Sequence, residues 1–87
     1  MAVVTATVVA GSTATLLYRN PDTTNITMVI TSHNNSADVY LGGSTVTSSS
    51  NGIVIPKSQT FTFVVPAGET LYCAGNGTDT LKFLCFT

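Results

Sequence analysis

The hydrophobic period of this chain is two wherever it can be judged, and no other property restricts its fold as much. Ile26, Met28 and Ile30 alternate with Thr27, Val29 and Thr31. Phe61, Phe63 and Val65 alternate with Thr60, Thr62 and Val64, and Leu81, Phe83 and Cys85 with Lys82, Leu84 and Phe86. In a pleated strand successive side chains point to opposite faces, so each run has one core face and one face of different character. Val, Ile, Thr, Phe and Tyr also suit a half-buried pleat. No segment offers a helical stripe of ten or more residues. The pattern predicts an all-β fold.

The punctuation divides the chain into strands over 3–9, 13–19, 26–32, 37–41, 45–47, 53–55, 59–65, 70–73 and 79–86. Gly11-Ser12, Asn20-Pro21-Asp22, Gly42-Gly43 and Pro66-Ala67-Gly68-Glu69 supply turn chemistry between them. The loop 48–52 reads as closing a hairpin between 45–47 and 53–55, with Pro56 ending the second arm because it cannot donate to a ladder. A last hairpin is predicted from 70–73 to 79–86 around 74–78. About eight short strands at this spacing predict a single small antiparallel β-sandwich or barrel, with connection order left open between a jelly roll and an up-and-down barrel. No repeat, linker or second domain is visible in residues 1–87.

Charge is scarce. Arg19, Lys57, Lys82, Asp22, Asp38, Glu69 and Asp79 are the charged side chains of 87 residues, and 16 Thr and 8 Ser carry the polar balance. Disorder is the wrong reading, because disordered chains pair high charge with low hydrophobicity and 44% of these residues are apolar. Three scattered cations and a net charge of −1 exclude a phosphate-neutralising nucleic-acid surface and give an anionic membrane little to attract. No apolar run reaches the roughly 20 residues of a membrane-spanning helix. Residues 1–5 carry neither a positive start nor an apolar core of a signal peptide, which predicts a cytoplasmic start. The sequons at Asn25, Asn34 and Asn76 are then chance products of a chain rich in Asn, Ser and Thr. So little charge over so much apolar pleat predicts that neighbouring polypeptides cover part of the molecule.

Catalytic, metal and cofactor sites are not predicted. His33 stands in a polar loop with no elbow motif around a nucleophile, and the four carboxylates are scattered through the chain. Two Cys and one distant His fall short of a zinc site. With the final hairpin turning near Gly77, Cys73 lies opposite about Leu81 and Cys85 opposite about Glu69. That offset separates the two by roughly 13 Å, beyond the reach of a disulfide, and predicts reduced, buried thiols. Tyr18, Tyr40 and Tyr72 sit at or near strand ends, where a ring packs while its hydroxyl reaches water.

The stretch 39–47, Val39-Tyr40-Leu41-Gly42-Gly43-Ser44-Thr45-Val46-Thr47, is followed by Asn51-Gly52-Ile53, Ile55-Pro56 and 66–74, Pro66-Ala67-Gly68-Glu69-Thr70-Leu71-Tyr72-Cys73-Ala74. With the closing Gly77-Thr78 and the apolar strand after it, this resembles small accessory virion proteins of tailed phages, of the head decoration or cement type. The similarity covers about residues 25–87; Cys73 and Cys85 depart from it, standing where a plain small or aliphatic residue is expected. The resemblance implies a non-enzymatic β-domain of the virion that sits on the capsid lattice, commonly as a trimer, with the major capsid protein or another virion protein as partner. The candidate interface residues are Val3, Val4, Val8 and Val9, together with Tyr40, Val46, Ile53, Ile55 and Phe86. Residues 1–10 are read either as an arm that adds to a neighbour's sheet or as the first strand of the domain's own sheet. Val29, Val64, Leu84 and Phe86 lie opposite the main apolar series, so either the fold or a partner covers them. An alternative is a receptor- or glycan-binding module of a tail or fibre using Tyr40 and Tyr72. A third, a pilus-like or surface-layer subunit, requires export, for which residues 1–5 offer no signal.

Overall fold

A computed structural model describes residues 3–33 and 35–87; the first two residues of the expected arm and the sequon at Asn34 lie outside the described residues. Eight strands follow one another: β1 (Val4–Val9), β2 (Thr15–Arg19), β3 (Ile26–Thr31), β4 (Val39–Gly42), β5 (Ile53–Ile55), β6 (Thr60–Val65), β7 (Thr70–Ala74) and β8 (Thr80–Phe86). They form two four-stranded antiparallel sheets, one in the order β1-β8-β3-β6 and the other β2-β7-β4-β5. We call these the first and second sheet.

The topology is that of a long hairpin rolled up. β4 pairs with β5, β3 with β6, β2 with β7 and β1 with β8. Rolling then brings β3 against β8 and β4 against β7. Only β4 and β5 are sequential neighbours within one sheet; every other connection crosses from sheet to sheet. This order is a jelly roll, the double-sheet solution to all-β architecture.

The alternation read from the sequence becomes the core. Ile26, Met28 and Ile30 of β3 and Leu81, Phe83 and Cys85 of β8 face inward from the first sheet, and all six are buried. Leu17, Val39, Leu41, Ile55 and Cys73 meet them from the second. Tyr18 crosses the gap to Phe83 with ring centroids 5.4 Å apart in an edge-on arrangement. Burying each such aliphatic side chain contributes about 1.5–3 kcal/mol.

Two turns are held by buried polar side chains. The Asn20 amide is fully buried; its NH2 donates to the carbonyls of Thr24, Val65 and Pro66, and its oxygen accepts the Asp22 N–H. It therefore ties the β2–β3 turn to the end of β6. The Ser32 hydroxyl accepts the Gln59 N–H at 3.0 Å and donates to the Pro56 carbonyl, fixing the β5–β6 connection against the end of β3.

Three predictions are corrected. Segment 45–47 is no strand: Val46 turns inward at 2% exposure, its N–H bonded to the Gly43 carbonyl, and β5 pairs with β4 instead. The last two strands do not form a hairpin, because β7 belongs to the second sheet and β8 to the first. The intervening turn docks on the β1–β2 crossing, with the Gly75 N–H on the Gly11 carbonyl and the Gly77 N–H on that of Ala10. The hairpin offset that separated Cys73 from Cys85 is therefore void. The two thiols are free and buried on opposite sheets, Cys73 beside Thr15 and Leu41, Cys85 beside Val4 and Met28. Of the two readings left open for residues 1–10, the structure has residues 4–9 as the outermost strand of the chain's own first sheet.

Candidate functional site

Strand register lays out the outward side of the first sheet row by row. One row runs Thr5, Leu84, Val29, Thr62; the next reads Phe86, Thr27, Val64; a third reads Thr7, Lys82, Thr31, Thr60. Leu84, Val29, Phe86 and Val64 thus form a continuous apolar stripe bordered by threonines. Val64 is 57% exposed and Leu84 and Phe86 36% each. Lys82 is the single charged side chain in these rows. The surface dips into an open depression of about 810 Å³ between Thr5, Val29, Lys82 and Leu84, with His33 at its border. A threonine-framed apolar sheet face with one cation suits flat contact with protein better than capture of a small ligand.

A second opening lies between the sheets where β5 and β6 diverge. This groove of about 470 Å³ is walled by Leu41, Ile53, Ile55, Leu71, Phe61 and Phe63. Ile53 is 76% exposed and Phe61 39%, although the pleat aims Phe61 inward with Phe63 and Val65.

The predicted interface residues divide. Val3, Val9, Ile53 and Phe86 are exposed. Val4 and Val8 are half-buried and pack on the core from β1. Val46 and Ile55 are corrected: at 2% and 3% exposure both belong to the core. Val46 fills the space under the tip of the β4–β5 connection, and Ile55 faces inward opposite Val39. Tyr40 and Tyr72 both project from the outer side of the second sheet, where Tyr72 pairs with Gly42 and Tyr40 with Ala74, making them diagonal neighbours. They are half-buried, and Leu16 beside Tyr72 is 55% exposed. The first sheet's stripe carries Phe86 from the predicted set; Val29, Val64 and Leu84 were visible in the sequence as the minority phase of the alternation.

Asp79 serves the fold. Asp79 accepts the N–H groups of Ser36 and Ala37, the Ser36 hydroxyl and the Asn76 amide, and the Ser36 N–H leads in holding its carboxyl below the usual value. Burial pushes the Cys73 thiol up to about 11 and raises Cys85 as well. Burial, with smaller contributions from Cys85 and Asp22, raises the Tyr18 hydroxyl. Asp38 accepts the Lys57 N–H, and His33 is exposed. Among the described residues no three His, Cys, Asp or Glu side chains gather into a metal-binding group.

Eight strands, two sheets and jelly-roll order define the class: a small all-β sandwich domain. No family model matches the chain, and no curated protein matches it. Among solved structures it is similar to one described as "Bacillus endospore appendages form a novel family of disulfide-linked pili". The TM-score is 0.65 at 17% identity, over 97% of this chain and 80% of that one. At that identity the likeness is one of fold.

Proposed function

We propose that the chain is a non-enzymatic structural subunit built into a larger protein assembly. The observation that carries this reading is the apolar stripe on the outer side of the first sheet, where Leu84, Phe86 and Val64 stay exposed in a chain with seven charged side chains. Exposed contiguous apolar surface on so small a domain marks a contact with another chain. The resemblance of residues 25–87 to small accessory virion proteins of tailed phages favours a place on a virion head, with the major capsid protein as partner. The fold it shares with an appendage protein favours a second placement, in a fibre.

The test is a Leu84→Ser, Phe86→Ser variant, chosen because both side chains are partly exposed on the outer face of β8. The variant is expected to stay folded and to lose uptake on undecorated phage heads. Uptake equal to wild type would remove the outer face from the account. Stoichiometric uptake at symmetric lattice positions supports the head placement; self-association without uptake moves the reading to the fibre.

A further inference from the structure

We infer that copies of this chain join edge to edge, β6 of one molecule pairing with β1 of the next, so that the first sheet runs on across the junction. The inference deepens the subunit reading above and rests on it.

The four sheet edges differ in kind. In the second sheet, β2 is broken by a register shift between Leu16 and Tyr18 and ends in Arg19, while β5 has three residues and runs into Pro56. Bulges, charge, shortness and proline are the devices that keep an edge from pairing with another chain. Within their own six residues the first sheet's edges have none of them, though Pro66 follows β6 as Pro56 follows β5. β1 reads Val-Thr-Ala-Thr-Val-Val and β6 reads Thr-Phe-Thr-Phe-Val-Val; each has six residues in unbroken register with its inner neighbour, with no charge and no proline. One sheet of this sandwich is guarded on both sides and the other is open on both.

Strand direction matches the two open edges to each other. Every neighbouring pair in β1-β8-β3-β6 is antiparallel, so β1 and β6 run oppositely. A second copy carried sideways in the same orientation therefore presents its β1 antiparallel to β6 of the first.

The side chains match as well. β6 turns Phe61, Phe63 and Val65 inward, with Phe61 39% exposed at the groove between the sheets. β1 turns Val4, Ala6 and Val8 to the inward side, Ala6 being exposed there at the sheet edge. With all six residues paired, Phe63 meets Ala6, Phe61 meets Val8 and Val65 meets Val4 of the neighbour, while Thr62 meets Thr7 on the outer side. Setting aromatic against aliphatic side chains covers Phe61 at the groove. Pairing β6 with β6 leaves both β1 edges open, and pairing β1 with β1 leaves the groove open. The junction is therefore heterologous and propagates into a ring or an open line.

The experiment uses two full-length single variants, Thr5→Lys on β1 and Thr62→Lys on β6, both at exposed outward positions and neither one of the apolar side chains of the stripe. Size-exclusion chromatography with light scattering is expected to show wild type forming multimers and each variant alone a monomer. An equal mixture of the two should form heterodimers and nothing larger, since one supplies an intact β1 and the other an intact β6. Thr62→Lys dimerising alone, Thr5→Lys dimerising alone, or both variants forming wild-type multimers would overturn the edge pairing while leaving the subunit reading intact. A wild-type protein that is monomeric alone yet taken up by phage heads also overturns the pairing only; one that is monomeric and binds nothing overturns both. Should a lysine variant fail to fold, Thr7→Cys mixed with Thr62→Cys under mild oxidation is expected to give a cross-linked dimer, and its absence counts against the junction.

Discussion

Asp79 holds Ser36 from beneath: one carboxylate oxygen accepts the Ser36 backbone N–H at 3.0 Å and its hydroxyl at 3.1 Å. The second oxygen takes the Ala37 N–H at 2.9 Å and the Asn76 amide at 3.1 Å. One side chain thus ties the β3–β4 loop to the crossing between β7 and β8.

Acid should loosen that tie. The Ser36 N–H and its companions favour the charged form and lower the folded pKa of Asp79 below its value in the unfolded chain. Its contribution is fully present above the unfolded value and is lost as pH falls through the folded one. Urea midpoints followed from neutral pH downward are expected to drop more steeply for wild type than for Asp79→Asn, with the variant less stable at neutral pH. Parallel curves would refute the assignment.

Alkali acts through the thiols. Burial raises Cys73 to about 11, so the unfolded chain releases its proton first as pH rises above the ordinary thiol value. Stability attached to this group is complete below that value and declines as pH climbs through about 11. Cys73→Ala is expected to flatten this alkaline limb. A thiol reagent at neutral pH should label neither cysteine at an appreciable rate until urea unfolds the protein.

Removing the Asn20 amide leaves the buried Val65 carbonyl, and the more exposed Pro66 carbonyl, without that donor. Asn20→Ala should cost about 2–3 kcal/mol or more, in line with losses for unsatisfied buried polar groups. Chemical denaturation measures it, and a change under about 0.5 kcal/mol, the scatter of ordinary surface substitutions, would contradict the role given to this side chain.

Gly52 lies where a Cβ would come within 2.7 Å of Val46 Cγ2, hard against the Leu41 carbonyl. Gly52→Ala is expected to destabilise by about 1–3 kcal/mol through overpacking. Gly43, whose added Cβ would meet nothing within 4 Å, is the control, and Gly43→Ala should move the midpoint far less.

Alternation in Ile26–Ile30 and Leu81–Cys85 revealed which face of each strand is buried, because burial acts on each strand separately. Turn residues located the breaks for a similar reason: Asn20 and Gly68, the latter at a φ of 75°, answer to local backbone demands. Pairing was out of reach. The stretch around Gly77 has the composition of a hairpin, yet it is a sheet-to-sheet crossing, since its N–H groups find the Ala10 and Gly11 carbonyls some 65 residues earlier. Val46 misled for a related reason: an apolar residue between threonines reads equally well as a strand or as a plug for the core. The apolar stripe was half legible, since Val29, Val64 and Leu84 stood out of phase, but only register shows that they adjoin. Nothing in the order of residues distinguishes edge strands from central ones, so the contrast between guarded and open edges needed the topology.

Sedimentation velocity of the wild-type chain over a wide concentration range tests the central claim most directly. A subunit whose first sheet has an exposed apolar face and two open edges is predicted to sediment as a concentration-dependent series of multimers, which vanish with Thr5→Lys and with Thr62→Lys. A single monomeric boundary at every concentration, in a folded protein that neither binds dyes specific for exposed apolar surface nor is taken up by phage heads, would contradict it.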